Sequence, residues 1–140
     1  MAIDLQAVHR ALAGQISEHI TRDTNVSAFP DGSYSPPQIT VHSDPGGYLN
    51  YAMTFNDEAD LMLRLKLEVE AGDDLESVCI KVTDYLSSGT GNTSSIIDAV
   101  NFDRTLGGAV ENCRILTAEW DTDTNPALAW LPVVIYLNRE

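Results

Sequence analysis

Leu61-Met62-Leu63-Arg64-Leu65-Lys66-Leu67-Glu68-Val69-Glu70 carries the clearest pattern in the chain. Leu61, Leu63, Leu65, Leu67 and Val69 alternate with Met62, Arg64, Lys66, Glu68 and Glu70. Successive side chains of a strand point to opposite faces, so this alternation predicts one buried and one wet face. Such a strand belongs to a sheet covered on one side, which is the habit of antiparallel sheets. Residues 48–55 alternate Leu49, Tyr51, Met53 and Phe55 with more polar neighbours, and predict a second strand. The two would form a hairpin across an acidic turn holding Asp57, Glu58 and Asp60.

Outward from this hairpin the period changes. Leu5, Val8, Leu12, Ile16 and Ile20 recur every three or four residues, which predicts a helix over 4–21 with one apolar face. Gly14 weakens that helix by ~1 kcal/mol relative to alanine. Residues 27–37 contain Pro30, Pro36, Pro37 and the turn pair Asp31-Gly32, so they read as a loop or at most an edge segment. A short strand follows at 38–42. Asp73 or Asp74 is placed to cap a second helix bearing Leu75, Val78, Cys79, Val82, Tyr85 and Leu86, with Gly89 as a left-handed stop. Thr93 or Ser94 is then expected to cap a short helix through Ile96, Ile97 and Val100. Two strands close the chain, at 113–120 and 127–137, joined by a polar turn that includes Asp121 and Asp123. The last strand is apolar on both faces and should sit inside the sheet, yet Pro132 demands an edge or a bulge there. The expected fold is therefore α+β: one domain over 1–140, a mixed or antiparallel sheet, and helices packed on one face.

With 140 residues, 44% apolar, the chain is long enough to bury a core without disulfides or metal. No apolar run approaches the ~20 residues of a membrane helix. Asp4, Gln6, His9 and Arg10 interrupt the N-terminus, which does not read as a signal peptide; an intracellular, soluble product is expected. The net charge of −13 is the compositional outlier. It fits solubility alone, and equally a surface that stays near DNA without holding it, since tight DNA binding needs Lys and Arg to displace counterions. Cys79 and Cys113 stand alone, which fits buried free thiols better than a disulfide framework or zinc site.

Few residues suggest chemistry. Ser87-Ser88-Gly89-Thr90-Gly91-Asn92-Thr93 superficially resembles a phosphate loop, but it follows a helix and lacks the Gly-Lys-Ser/Thr ending. His9 and His19 lie ~15 Å apart along one helix, too far to share a metal. His42 stands apart from both, and all three read as structural histidines. No serine stands in a Gly-x-Ser-x-Gly elbow. The acidic groups lack calcium-loop spacing. No basic patch with interleaved aromatics is expected, and so no sequence-specific nucleic-acid recognition. No cofactor is expected.

The order of a helix ending in Asp84-Tyr85-Leu86, the turn Ser87-Ser88-Gly89-Thr90-Gly91, a short helix, the link Asp103-Arg104-Thr105-Leu106-Gly107-Gly108 and then a strand resembles the tail terminator proteins of long-tailed (siphovirus) actinobacterial phages. The resemblance covers most of the chain. It implies a non-enzymatic structural subunit of a six-fold ring that caps the tail tube, ends its polymerisation and joins it to the head connector. It implies as partners further copies of the chain, the tail tube protein and the head–tail connector protein, with no membrane. DNA would pass through without specific binding. Localisation would be the head–tail junction of the virion, after assembly in the host cytoplasm. Residues 85–91 and 103–110 look architectural in this light, and no catalytic residue is carried over. Asp57, Glu58, Asp60, Asp121 and Asp123 are the candidate channel-lining residues. The polar turn after Trp120 is longer than the family pattern leads one to expect. Another connector or tail completion protein is the neighbouring alternative. A small intracellular enzyme is the alternative of a different class.

Overall fold

The computed structural model describes residues 4–21, 23–30, 32, 35–43, 61–70, 74–91, 93–124 and 126–137. Their elements run α1 (Leu5–His19), β1 (Asn25–Ser27), β2 (Gln38–Ser43), β3 (Leu61–Val69), α2 (Leu75–Leu86), α3 (Ile96–Phe102), β4 (Asn112–Ile115), β5 (Glu119–Asp121) and β6 (Ala127–Tyr136). The strands form one mixed sheet in the order β1-β2-β3-β6-β4, with β5 also paired to β6. Only β1 is parallel to its neighbour. The domain is α+β, as expected.

β3 explains the architecture. Its odd residues Leu61, Leu63, Leu65, Leu67 and Val69 are all buried, and they join Ala127, Ala129, Leu131, Val133 and Ile135 of β6 in one core. The apolar residues of the three helices, among them Val8, Leu12, Ile16, Val78, Val82, Tyr85 and Val100, pack against that same face. Each large side chain buried there contributes roughly 1.5–3 kcal/mol relative to exposure. The other face carries the even residues of β3 and β6. Both edges of β3 are filled, by β2 from Leu63 to Glu68 and by β6 along its whole length. The described neighbours of β3 are β2 and β6, and the strand expected at 48–55, with its hairpin, lies outside the described residues.

β6 is internal, as its two apolar faces predict, and Pro132 is accommodated by a bulge. Ile115 pairs with Val133 and Glu119 with Trp130, so the three residues 116–118 oppose the two residues 131–132. The expected single strand over 113–120 is thereby split into β4 and β5. Leu116 N–H donates to the Pro132 carbonyl at 3.1 Å. A residue's nitrogen and carbonyl point to the same edge, so the donor-less proline nitrogen faces this bulge and leaves the β3–β6 ladder unbroken.

The helix boundaries correct several expectations. Asp4 caps α1 and Asp74 caps α2, each accepting a backbone N–H through its side chain. Ser95, rather than Thr93 or Ser94, caps α3 and accepts from Asp98 N–H. α2 ends on Ser87 in an extended conformation, and Gly89 takes its positive φ of 71° two residues later. Cys79 is only partly buried, because the buried stripe of α2 is Val78, Val82 and Tyr85 and residue 79 is rotated off it. β1 falls at the end of the expected first turn; a three-residue edge strand has too little periodicity to announce itself.

Candidate functional site

The first glycine-bearing stretch is a tie between elements, and the second is a self-contained turn. Gly89 N–H donates to both carboxylate oxygens of Asp98, at 3.0 and 3.1 Å. Ser95 Oγ, besides capping α3, donates to the Ser87 carbonyl. Thr21 N–H, just past α1, donates to the Thr93 carbonyl at 3.1 Å. The turn between α2 and α3 is thus held to α3 and to the end of α1. The backbone donor that a phosphate loop would offer to a nucleotide is taken by the protein's own carboxylate.

The second stretch is organised by Asp103. Its carboxylate accepts from Thr105 N–H (3.0 Å), Thr105 Oγ1 (2.6 Å) and Gly107 N–H (3.0 Å). The Thr105 hydroxyl, followed by the Thr105 and Gly107 amides, holds this carboxyl below its ordinary value. The chain must turn tightly here to bury Leu106, which takes a φ of 50° and is 4% exposed. Gly107 and Gly108 follow at φ 70° and 93°, a region that glycine enters without the Cβ penalty. A groove of about 320 Å³ runs between α1 and this turn, with Glu18, His19 and Phe102 among its lining. Phe102 is 69% exposed and leans on the His19 ring at 3.9 Å.

The sheet face opposite the helices holds a cluster that the linear sequence does not reveal. Register places Arg64 beside Pro132 and His42, and Lys66 beside Trp130 and Thr40. The Arg64 guanidinium lies over the Trp130 ring at 3.8 Å, Lys66 Nζ is 5.4 Å from the same centroid, and the His42 ring meets it edge-on at 5.6 Å. Lys66 Nζ stands 3.5 Å from Glu68 Oε1, which also accepts from Gln38 Nε2 at 2.8 Å. Burial, followed by the positive charges of Lys66 and Arg64, pushes His42 below its ordinary value, against a smaller opposing effect of Glu68. Arg64 Nε is buried and has no hydrogen-bond partner. The expectation of no basic cluster with aromatics is corrected to this compact one. Its signal was the pair Arg64 and Lys66 on the wet side of a perfect alternation, but Trp130 is brought to them only by the β3–β6 register.

The acidic candidates divide. Asp57, Glu58 and Asp60 lie outside the described residues. Asp121 ends β5 and Asp123 sits in the following turn, both exposed, with Asp123 N–H donating to Asp121 Oδ1 at 2.8 Å. The histidines have structural partners. His9 donates from Nδ1 to the Ala28 carbonyl at 2.8 Å and stacks on Phe29 at 4.4 Å; His19 donates to the Gln15 carbonyl at 2.9 Å. Among the described residues no group of three or more His, Cys, Asp or Glu is arranged to hold a metal ion. None of the described helices is long and apolar enough to cross a membrane.

No protein-family model matches the chain, and no curated protein matches it.

Proposed function

We propose that this chain is the subunit of a tail terminator: a structural virion protein that closes as a six-fold ring on the end of the tail tube, stops its polymerisation and presents a surface to the head–tail connector. The observation that carries the reading is the use made of residues 85–91 and 103–110. The first is tied to α3 through Asp98 and Ser95, with Thr93 holding the end of α1, and the second is held in its own turn by Asp103. Residues so engaged are suited to holding a rigid subunit in shape and poorly suited to turnover. Function in this reading is recognition without chemistry and needs no cofactor.

Two surface features support assembly. Leu116 and Trp120, on the outer β4–β5 margin of the sheet, are 49% and 56% exposed. Half-exposed large apolar residues on a sheet margin suit a neighbouring subunit, and a ring is built from such heterologous contacts closing by rotation. The charge supports passage of DNA. In this reading Asp57, Glu58, Asp60, Asp121 and Asp123 border the channel, where carboxylates repel phosphate within the ~8 Å screening length of physiological salt.

Electron microscopy of purified protein mixed with isolated tail tubes tests the proposal. Rings on one end of each tube, together with antibody labelling at the head–tail junction of intact particles, are expected. Intact particles that lack the protein at that junction refute it.

A further inference from the structure

We infer that the groove between the end of α1 and the Asp103 turn receives an arginine side chain presented by a partner protein. The charge that selects it is local. Among the described residues Glu18 and Asp103 line the groove, with neither lysine nor arginine beside them. Glu18 is exposed in the last turn of α1, the negative end of that helix, and it forms no ion pair with a described residue. Asp103 is fixed in place by Thr105 and Gly107, which favour its ionised form. Those contacts use three acceptor positions, and a carboxylate offers about four.

Phe102 selects the guanidinium. Its ring is 69% exposed and leans on His19 at 3.9 Å, so it is held in the same lining as the two carboxylates while most of its surface stays open. A guanidinium lies flat on an aromatic ring and turns its N–H edge to a carboxylate in one pose; an ammonium has no such plane. Gly14 leaves room for the approach. It stands inside α1, lines the groove, and has nothing within 4 Å of the place a Cβ would occupy. No described contact within the subunit requires a glycine there, and glycine weakens a helix. Close approach of an outside group to the backbone is a use that glycine serves.

The groove holds about 320 Å³ and lies open at the surface. That is the small end of ligand pockets, which enclose most of their ligand. An open groove of this size suits one long side chain carried on another protein. The inference holds whether or not the chain is a tail subunit.

Amide-resolved NMR of isotope-labelled protein at pH 7 and about 0.15 M salt, where diffuse attraction is screened, tests it. The probe is the peptide acetyl-Ala-Arg-Ala-amide, and its citrulline analogue has the same shape without the charge. Saturable shifts at Gly14, Phe102 and Gly107 are expected with the arginine peptide and not with the citrulline one. Glu18→Gln and Phe102→Ala should each weaken binding about two- to fivefold, as loss of an exposed ion pair or a cation–π contact does. Gly14→Leu should abolish the shifts while the Tm holds or rises, because leucine is the better helix former and fills the groove. Should Gly14→Leu lower the Tm, Glu18→Gln and Phe102→Ala decide. No saturable shifts, equal shifts with citrulline, or equal shifts around Asp121 and Asp123, the sign of general attraction to an acidic chain, overturn the proposal. So does free arginine binding more tightly than the peptide, the mark of a small-molecule site. Binding that emerges only in Arg22→Gln or Arg139→Gln would show the chain filling its own groove, and would overturn it too.

Discussion

The phenolic oxygen of Tyr85 lies 2.6 Å from Thr24 Oγ1, joining the buried face of α2 to the residue before β1. Tyr85 is fully buried, so its hydroxyl needs protein partners. Tyr85→Phe should cost about 1 kcal/mol in urea unfolding, the net worth of such a bond. Tyr85→Ala should cost about 3–5 kcal/mol, because it opens a cavity as well.

The two faces of β3 should respond differently. Leu65 is 0% exposed on the helix side, and Leu65→Asp should abolish soluble expression, since an uncompensated buried carboxylate costs several kcal/mol. Arg64→Gln on the other face loses the stacking on Trp130, worth about 0.5–1 kcal/mol, and should leave the fold intact. Expression yield and circular dichroism of the two variants make the comparison. Equal damage would contradict the register.

Gly14 sits in α1 with nothing within 4 Å of the place a Cβ would occupy. Gly14→Ala should therefore stabilise the protein by about 0.5–1 kcal/mol, read as a rise in the denaturation midpoint at unchanged slope.

Asp103 supplies a pH dependence of known sign. Its carboxyl is held below the ordinary value by Thr105 and Gly107. Its contribution is therefore complete above the usual carboxylate range and is lost as pH falls through the lower folded value. Asp103→Ala should lower the Tm at neutral pH, and its difference from the unaltered protein should shrink in acid. A difference that grows on acidification would show the opposite linkage.

The two thiols should react at different rates. Burial pushes Cys113 up to about 11, and Cys79 is partly exposed. The thiolate is the reactive form. Alkylation at pH 8 followed by peptide mass mapping should find Cys79 modified first, with Cys113 reacting only on unfolding.

Much of the fold was legible in short-range patterns. The alternation from Leu61 to Val69 named the buried face of β3, and Asp4 and the pair Asp73-Asp74 announced the starts of two helices, the second capped by Asp74. Pro132 called for an edge or a bulge, and the bulge appears where β4 gives way to β5. Less of the candidate site was legible. Phe102 ends α3 with 69% of its surface exposed, which no local pattern announced. Ser95 took the capping position expected of Thr93 or Ser94, because its hydroxyl can also reach the Ser87 carbonyl across the turn.

The sequence by itself determined which face of β3 and which stripe of α1 and α2 turn to the core, though not every residue on them, because side-chain direction follows the period of the local backbone. Tertiary structure decided which strands are neighbours. Pairing depends on residues far apart in the chain, and a shift of one residue would reverse every face. It seated β2 and β6 on the two edges of β3, set β1 parallel on the sheet margin, and split one apolar run into β4 and β5 around a proline. It also brought His42, Arg64 and Trp130 from three strands onto one surface. That cluster exists only through register, so no reading along the chain could contain it.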